Sequence, residues 1–161
     1  MFGRALFAVL ALPGMVAGLV PALIFTFDPW RERSFSIGYL FMSSGIFLLL
    51  WCVSDFYVSG KGTLAPWSPP RNLVVVGLYR FLRNPMYVSV LLVLVGWCLI
   101  AGSAVLVAYT LFVAMMFHLR VTRNEEPWLE RQFGSDWAAY SKAVGRWLPR
   151  RKPWYPRETS T

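Results

Sequence analysis

The chain has 161 residues, of which 57% are hydrophobic and only 15% charged, and it carries a formal charge of +8. That balance excludes a disordered chain, which combines low hydrophobicity with high charge, and argues against a water-soluble domain, where charged residues make up about 25%. Apolar mass with a basic surplus points to a membrane protein with a cationic face.

Residues 5–27 are an uncharged run of 23 residues, interrupted by Pro13 and Pro21. A membrane span needs about 20 residues, and kinks at proline are tolerated where neighbouring helices re-satisfy the backbone. The run is longer than the ~7–15 apolar residues of a signal peptide, so it is read as a first span rather than a cleaved leader. Residues 35–53 form a second uncharged run, ended by Asp55. Residues 85–117 form a third, 33 residues long. As one helix this would extend about 50 Å, against a hydrocarbon core of ~30 Å. Ala101-Gly102-Ser103 lies in its middle, where glycine can turn the chain. The run is therefore read as a helical hairpin, residues 86–100 and 104–118. The fold class that follows is an all-α integral membrane protein with four transmembrane helices, a cytoplasmic loop over 54–84 and amphipathic C-terminal helices over 124–150.

Lysine and arginine set the orientation. Arg4, Lys61, Arg71, Arg80, Arg83 and the nine basic residues after the fourth span fall on one side; Arg31 and Arg33 fall on the other. The excess places both termini in the cytoplasm, with the bacterial inner membrane as the expected location. Cys52 and Cys98 end spans on opposite sides, so no disulfide can join them, and both read as packing residues. There is one histidine, His118, and no Cys/His metal spacing, so no metal is expected. No P-loop, G-x-G-x-x-G or G-x-S-x-G stands in the chain.

Two polar segments carry the information. The loop 54–84 is turn-rich, yet it holds Leu73-Val74-Val75-Val76 and Gly77-Leu78-Tyr79, which suit a loop packed back on the bundle rather than a linker. After the fourth span come His118, Arg120, Arg123, Asn124, Glu125 and Glu126. Pro127 cannot continue a regular helix, so a restart is expected, with Asn124 as N-cap and both glutamates in the first turn. Trp128, Leu129, Phe133, Trp137, Tyr140 and Val144 then recur on roughly one helical face, broken near Gly134-Ser135. Four crossings bring residues 79–87 and 118–126 to one membrane level. A charge left unpaired in hydrocarbon costs at least ~2.5–3.5 kcal/mol, so Arg83, Arg123, Glu125 and Glu126 should pair with each other or with a ligand. Alternatively, the glutamates only complement a helix dipole and the arginines only obey the orientation rule. The basic tail can also lie on anionic lipid.

Leu73-Val74, Gly77-Leu78-Tyr79, Arg83-Asn84-Pro85-Met86-Tyr87, Glu125-Glu126-x-x-Leu129, Phe133-Gly134, Tyr140 and Val144-x-Arg146-x-x-Pro149 stand in that order. In this the chain resembles the isoprenylcysteine carboxyl methyltransferases and the related membrane phospholipid methyltransferases, over about residues 60–150. The resemblance implies an S-adenosylmethionine-dependent enzyme whose site faces the cytoplasm and takes a membrane lipid or lipid-modified substrate. It implies a cofactor pocket lined by Leu73, Val74, Tyr79, Arg83, Asn84, Pro85, Met86, Tyr87 and Glu125. It puts Arg120 or Arg123 on an anionic substrate group; Arg123 and Glu126 are the expected catalytic residues. In that family a histidine usually stands where this chain has Asn84, in an Arg-His-Pro-x-Tyr motif; asparagine can hydrogen-bond but cannot act as a base. The expected chemistry is in-line methyl transfer. A carboxylate acceptor needs alignment only, whereas an amine must first lose a proton, to Glu126 or His118. The rival readings are a phospholipid N-methyltransferase, a membrane reductase using NADPH, which the sterol-reductase-like proteins resemble in the same hairpin and tail, and a non-enzymatic scaffold.

Overall fold

The structure, a computed structural model, describes residues 13–29, 35–59, 73 and 75–155. Val74 and most of the Pro-rich loop lie outside the described residues, as do residues 5–12 of the expected first span. The described regular elements are all helical. They are α1 (Met15–Phe27, opening with a π turn), α2 (Ile37–Ser59), a 3₁₀ turn (Gly77–Arg80), α3 (Pro85–Ala101), α4 (Ala104–Arg120), a second π turn (Val121–Glu125) and α5 (Glu126–Ala143). Two apolar stretches, Ile37–Asp55 and Ala104–Ala143, are long enough to cross a membrane; Met15–Phe27 and Pro85–Ala101 are apolar but shorter. At ~1.5 Å per residue the 17 residues of α3 extend about 25 Å.

The tightest packing is the antiparallel contact of α2 with α3, built on small residues seven apart on each helix. Gly38 lies on Gly96, where a Cβ would come within 2.8 Å of the Gly96 carbonyl, and Gly45 lies on Ser89, where a Cβ would come within 2.7 Å of the Ser89 carbonyl. Small residues let two backbones approach, which drives helix association where no hydrophobic effect operates between helices. Ser89 returns its hydroxyl to Pro85 O at 2.7 Å, so no polar group is left open in the contact. Gly45→Leu forces backbone against side chain here and should cost about 3 kcal/mol or more. A large fall in unfolding temperature in detergent is expected, with Ile46→Leu, at a 46% exposed position, as the unaffected control.

The hairpin expected at Ala101-Gly102-Ser103 is present. Gly102 closes α3 at φ 58°, ψ 30°, a left-handed turn that glycine adopts without penalty, and donates to Cys98 O at 2.9 Å. Ser103 caps α4 by accepting from Leu106 N and donates its hydroxyl to the buried Asp28 carboxylate at the end of α1. The Trp97 indole N–H and the Tyr109 hydroxyl donate to the carbonyls of Ala17 and Val16 in the π turn of α1. Asp28, Phe35 (which donates to Leu99 O), Gly102 and Ser103 therefore gather at one end of the bundle. Tyr39, Leu40, Phe47 and Leu50 on α2, with Leu111, Phe112 and Met115 on α4, stay exposed around its middle. An apolar surface of this extent suits lipid rather than water.

The restart expected at Asn124 does not occur. The helix runs from α4 through the π turn into α5, and Glu126 N–H reaches back five residues to Val121 O. The wider turn accommodates Pro127, which has no N–H to bond and whose ring would crowd a regular turn. Asn124 is exposed and helical rather than a cap. The break near Gly134 is present as a kink inside α5, with φ 48° and ψ −115°. Beyond it Trp137 and Tyr140 form a second, smaller core with Val75 and Val144, against which Leu73, Phe133 and Trp154 pack.

Candidate functional site

The end of the bundle opposite the hairpin carries the polar network. It is organised by two short chain segments that lie side by side. Leu82 bridges Gly145 in parallel, Arg83 N–H donates to Gly145 O, Arg150 N–H to Phe81 O and Trp154 N–H to Arg80 O, each at 2.9 Å. The Tyr140 hydroxyl donates to Tyr79 O at 2.7 Å, tying α5 to the 3₁₀ turn. The tail after α5 thus folds back over residues 79–84, the stretch that leads into α3.

Two adjacent glutamates sit under this cover with separate sets of partners. Glu126 Oε1 accepts from Arg83 Nη1 at 3.0 Å and from Arg146 Nε at 2.7 Å, and Oε2 accepts from Arg146 Nη2 at 2.6 Å. The Arg146 fork grips both oxygens, the geometry for which guanidinium is suited. Burial pushes the Arg83 guanidinium down from its usual range, and Glu126 pulls it back up. Hydrogen bonding to Glu126 raises Arg146. Glu125 Oε1 accepts from the Tyr87 hydroxyl at 2.5 Å and from Arg120 Nε at 2.9 Å, and the Tyr87 ring packs on Phe117, centroids 4.5 Å apart. Glu126 is the more enclosed of the two, its side chain 17% exposed against 33% for Glu125. Burial holds the Tyr79 hydroxyl well above its usual range, so it stays neutral.

Among the residues expected at a site, the structure brings together Tyr79, Arg83, Asn84, Pro85, Tyr87, Arg120, Glu125 and Glu126, with Met86 half-buried beside them. Asn84 precedes α3 without capping it; its Nδ2 donates to Arg146 O at 3.1 Å, holding the tail segment in place. Leu73 packs in the second core with Trp137 and Tyr140. Arg123 is exposed and makes no ion pair among the described residues, whereas Arg120 does. The guanidinium that reaches the glutamates from the π-turn region is thus Arg120. Arg120→Ala should weaken binding of an anionic ligand about tenfold, the worth of one charge-assisted hydrogen bond (~1.5–3 kcal/mol) discounted for exposure, while Arg123→Ala leaves it unchanged; titration of each variant checks this. His118 Nδ1 accepts from the Trp147 indole N–H at 3.3 Å, so the neutral ring carries its proton on Nε2 and presents a donor there.

Sequence reasoning missed Arg146 and Asp55 as site residues. Arg146 stands in the Val144-x-Arg146-x-x-Pro149 ending and by sequence belongs to a basic tail; Asp55 by sequence only ends a span. Arg83 Nε and Asp55 Oδ2 are enclosed without a hydrogen-bond partner.

A family profile described as phospholipid methyltransferase matches residues 33–136. Steroid 5-alpha-reductase DET2 of Solanum lycopersicum is 27% identical over 118 residues, which cover 73% of this chain and 43% of that protein. Delta(14)-sterol reductase TM7SF2 of Mus musculus is 33% identical over 94 residues, 56% of this chain and 22% of that protein. An uncharacterized protein of Haemophilus influenzae is 34% identical over 64 residues, 39% of this chain and 100% of that protein. The chain spans less than half the length of the two reductases it matches. No solved structure matches it.

Proposed function

The chain belongs to the phospholipid methyltransferase family, and from that premise we propose that it is an integral membrane methyltransferase that uses S-adenosylmethionine. Its acceptor is a lipidic or small apolar molecule, with a carboxyl oxygen favoured over a phospholipid amine. Four crossings with both termini in the cytoplasm complete the reading: Arg80, Arg83, Arg120, Arg146 and Arg150 all stand at the polar end, which the positive-inside rule assigns to that side.

The observation that carries the reading is the cluster of Tyr87, Arg120 and Glu125 beside the Glu126 clamp, at the end of the bundle where a lipid head group would lie. The residues suit the cofactor's chemistry. Glu125 and the unpartnered Asp55 Oδ2 can accept from cationic or hydroxyl groups, and the unpartnered Arg83 Nε can donate to a carboxylate. Leu73, Tyr79, Arg83, Asn84, Pro85, Met86, Tyr87 and Glu125 are the proposed binding residues, with Val74 joining them from outside the described residues. When bound, S-adenosylmethionine supplies a methyl group on a sulfonium, electrophilic without further activation.

What remains for the chain is alignment and exclusion of water. Both glutamate side chains of the network are held by guanidinium or phenol donors, and His118 presents a donor at Nε2. An acceptor that is already anionic asks nothing of them as bases, whereas an amine would require a proton acceptor. This favours a carboxylate. Arg120 is the proposed ligand for an anionic acceptor group, and Glu126 a positioning residue that fixes Arg83 and Arg146.

Transfer of a labelled methyl group from S-adenosylmethionine into a membrane lipid extract, with mass spectrometry of the product, tests the reading. Label in a methyl ester is expected; label in a phospholipid amine would overturn the acceptor class, and no transfer to any extract would overturn the activity. The similarity to two sterol reductases supports a second reading, a reductase using NADPH. A ligand at 100-fold its Kd stabilises by ~2.7 kcal/mol, so comparing unfolding temperatures with each cofactor separates the two, and a scaffold protein would respond to neither.

A further inference from the structure

Asp55 stands apart from the two clamped glutamates. It ends the apolar stretch Ile37–Asp55 of α2, and its Oδ2 is enclosed with no donor in reach. The 3₁₀ turn lies directly on it. Gly77 takes φ +49° above the carboxylate, and a Cβ at that position would collide with it. Any side chain at residue 77 would therefore both strain the turn and collide with the Asp55 carboxylate. One turn earlier on α2, Cys52 is buried beside Ser89 in the first turns of α3, so Asp55 lies at the level where α3 begins. Tyr79 experiences the fields of Asp55, Tyr87 and Tyr140, which puts the carboxylate in the neighbourhood of the polar cluster.

Taking a carboxylate oxygen out of water without a hydrogen bond is costly, and proteins seldom leave one so. Asp28, Glu125 and Glu126 each have protein donors. A scaffold carboxylate would have one too. The remaining role is to await a donor that arrives with a ligand.

We propose that Asp55 is a ligand-binding residue of this site, its Oδ2 accepting a hydrogen bond from an ammonium or hydroxyl group of the bound cofactor. The identity of that cofactor as S-adenosylmethionine rests on the function proposed above. Binding removes the unmet acceptor, so the residue destabilises the free protein slightly and stabilises the complex.

The test uses the full chain in detergent, as wild type, Asp55→Asn and Asp55→Ala, with thermal unfolding and titration of S-adenosylmethionine, S-adenosylhomocysteine and NADPH. Without ligand, the variants should unfold at or above the wild-type temperature. With S-adenosylmethionine or S-adenosylhomocysteine, binding should weaken at least tenfold. An undiminished affinity in both variants overturns the proposal, as does a lower unfolding temperature without ligand accompanied by intact binding, which would make Asp55 part of the scaffold. If the wild type responds to NADPH and not to S-adenosylmethionine, the methyltransferase reading fails. The assignment of Asp55 then stands if its variants lose the NADPH response and falls if they keep it. A wild type that responds to neither overturns both.

Discussion

Glu125→Gln should weaken S-adenosylmethionine binding by about 10- to 100-fold while leaving the unfolding temperature near that of the wild type. The magnitude follows from replacing a charged acceptor by a neutral one: a hydrogen bond to a charged group contributes ~1.5–3 kcal/mol, and each 1.4 kcal/mol is about tenfold in affinity. Stability should change little because Glu125 is one-third exposed and its Arg120 partner 58% exposed, and exposed pairs contribute only ~0–1 kcal/mol. Glutamine keeps the shape and can still accept from Tyr87, so the variant isolates the charge. Tyr87→Phe is the companion change. It removes the 2.5 Å hydrogen bond but preserves the packing on Phe117, and it should lose less. Methyl transfer under limiting cofactor should fall in parallel with affinity. Unaltered binding in Glu125→Gln would remove Glu125 from the cofactor site.

The convergence of residues 79–87 with 118–126 was legible because it needs only alternating direction of apolar runs and one turn at Gly102. The helices follow the uncharged runs closely: α3 and α4 differ from expectation by two residues or fewer at each end, whereas α2 continues past Asp55 to Ser59. What the sequence hid were features set by three-dimensional accommodation. Pro127 reads as a stop, since a proline inside an α-helix loses a hydrogen bond; the π turn before it makes a continuous path possible. Gly38, Gly45, Ser89 and Gly96 are plain in the sequence, but their pairing depends on the register between two helices. Arg146 belongs to a basic tail by composition, and only the pairing of the tail with residues 80–83 carries it to Glu126. The same return explains Asn84, whose side-chain amide bonds the backbone of the tail instead of opening a helix.

That return sets the larger structural effect. Glu126→Ala should lower the stability of the polar end by about 3 kcal/mol, the low end of the ~3–5 kcal/mol for breaking a buried pair. The low end applies because Arg146 keeps 32% of its side chain exposed, although Glu126 and Arg83 keep only 17% and 13%. Two guanidiniums would then face each other without the carboxylate between them, and the Arg146 charge already lowers the affinity of Arg83 for its proton. The tail is held to residues 80–84 by backbone bonds as well, so it should loosen rather than detach. Hydrogen exchange should rise at Arg83, Arg150 and Trp154 amides, whose acceptors lie across that contact, while the α2–α3 helices stay protected. Arg146→Ala with Glu126→Ala should cost less than the two single changes added together, by the ~0.5–3 kcal/mol of coupling found between groups in contact. Glu126→Gln offers a neutral acceptor of the same size and should recover part of the stability. Strict additivity of the two alanine changes would mean that Glu126 and Arg146 act independently, and that the carboxylate does not hold the tail.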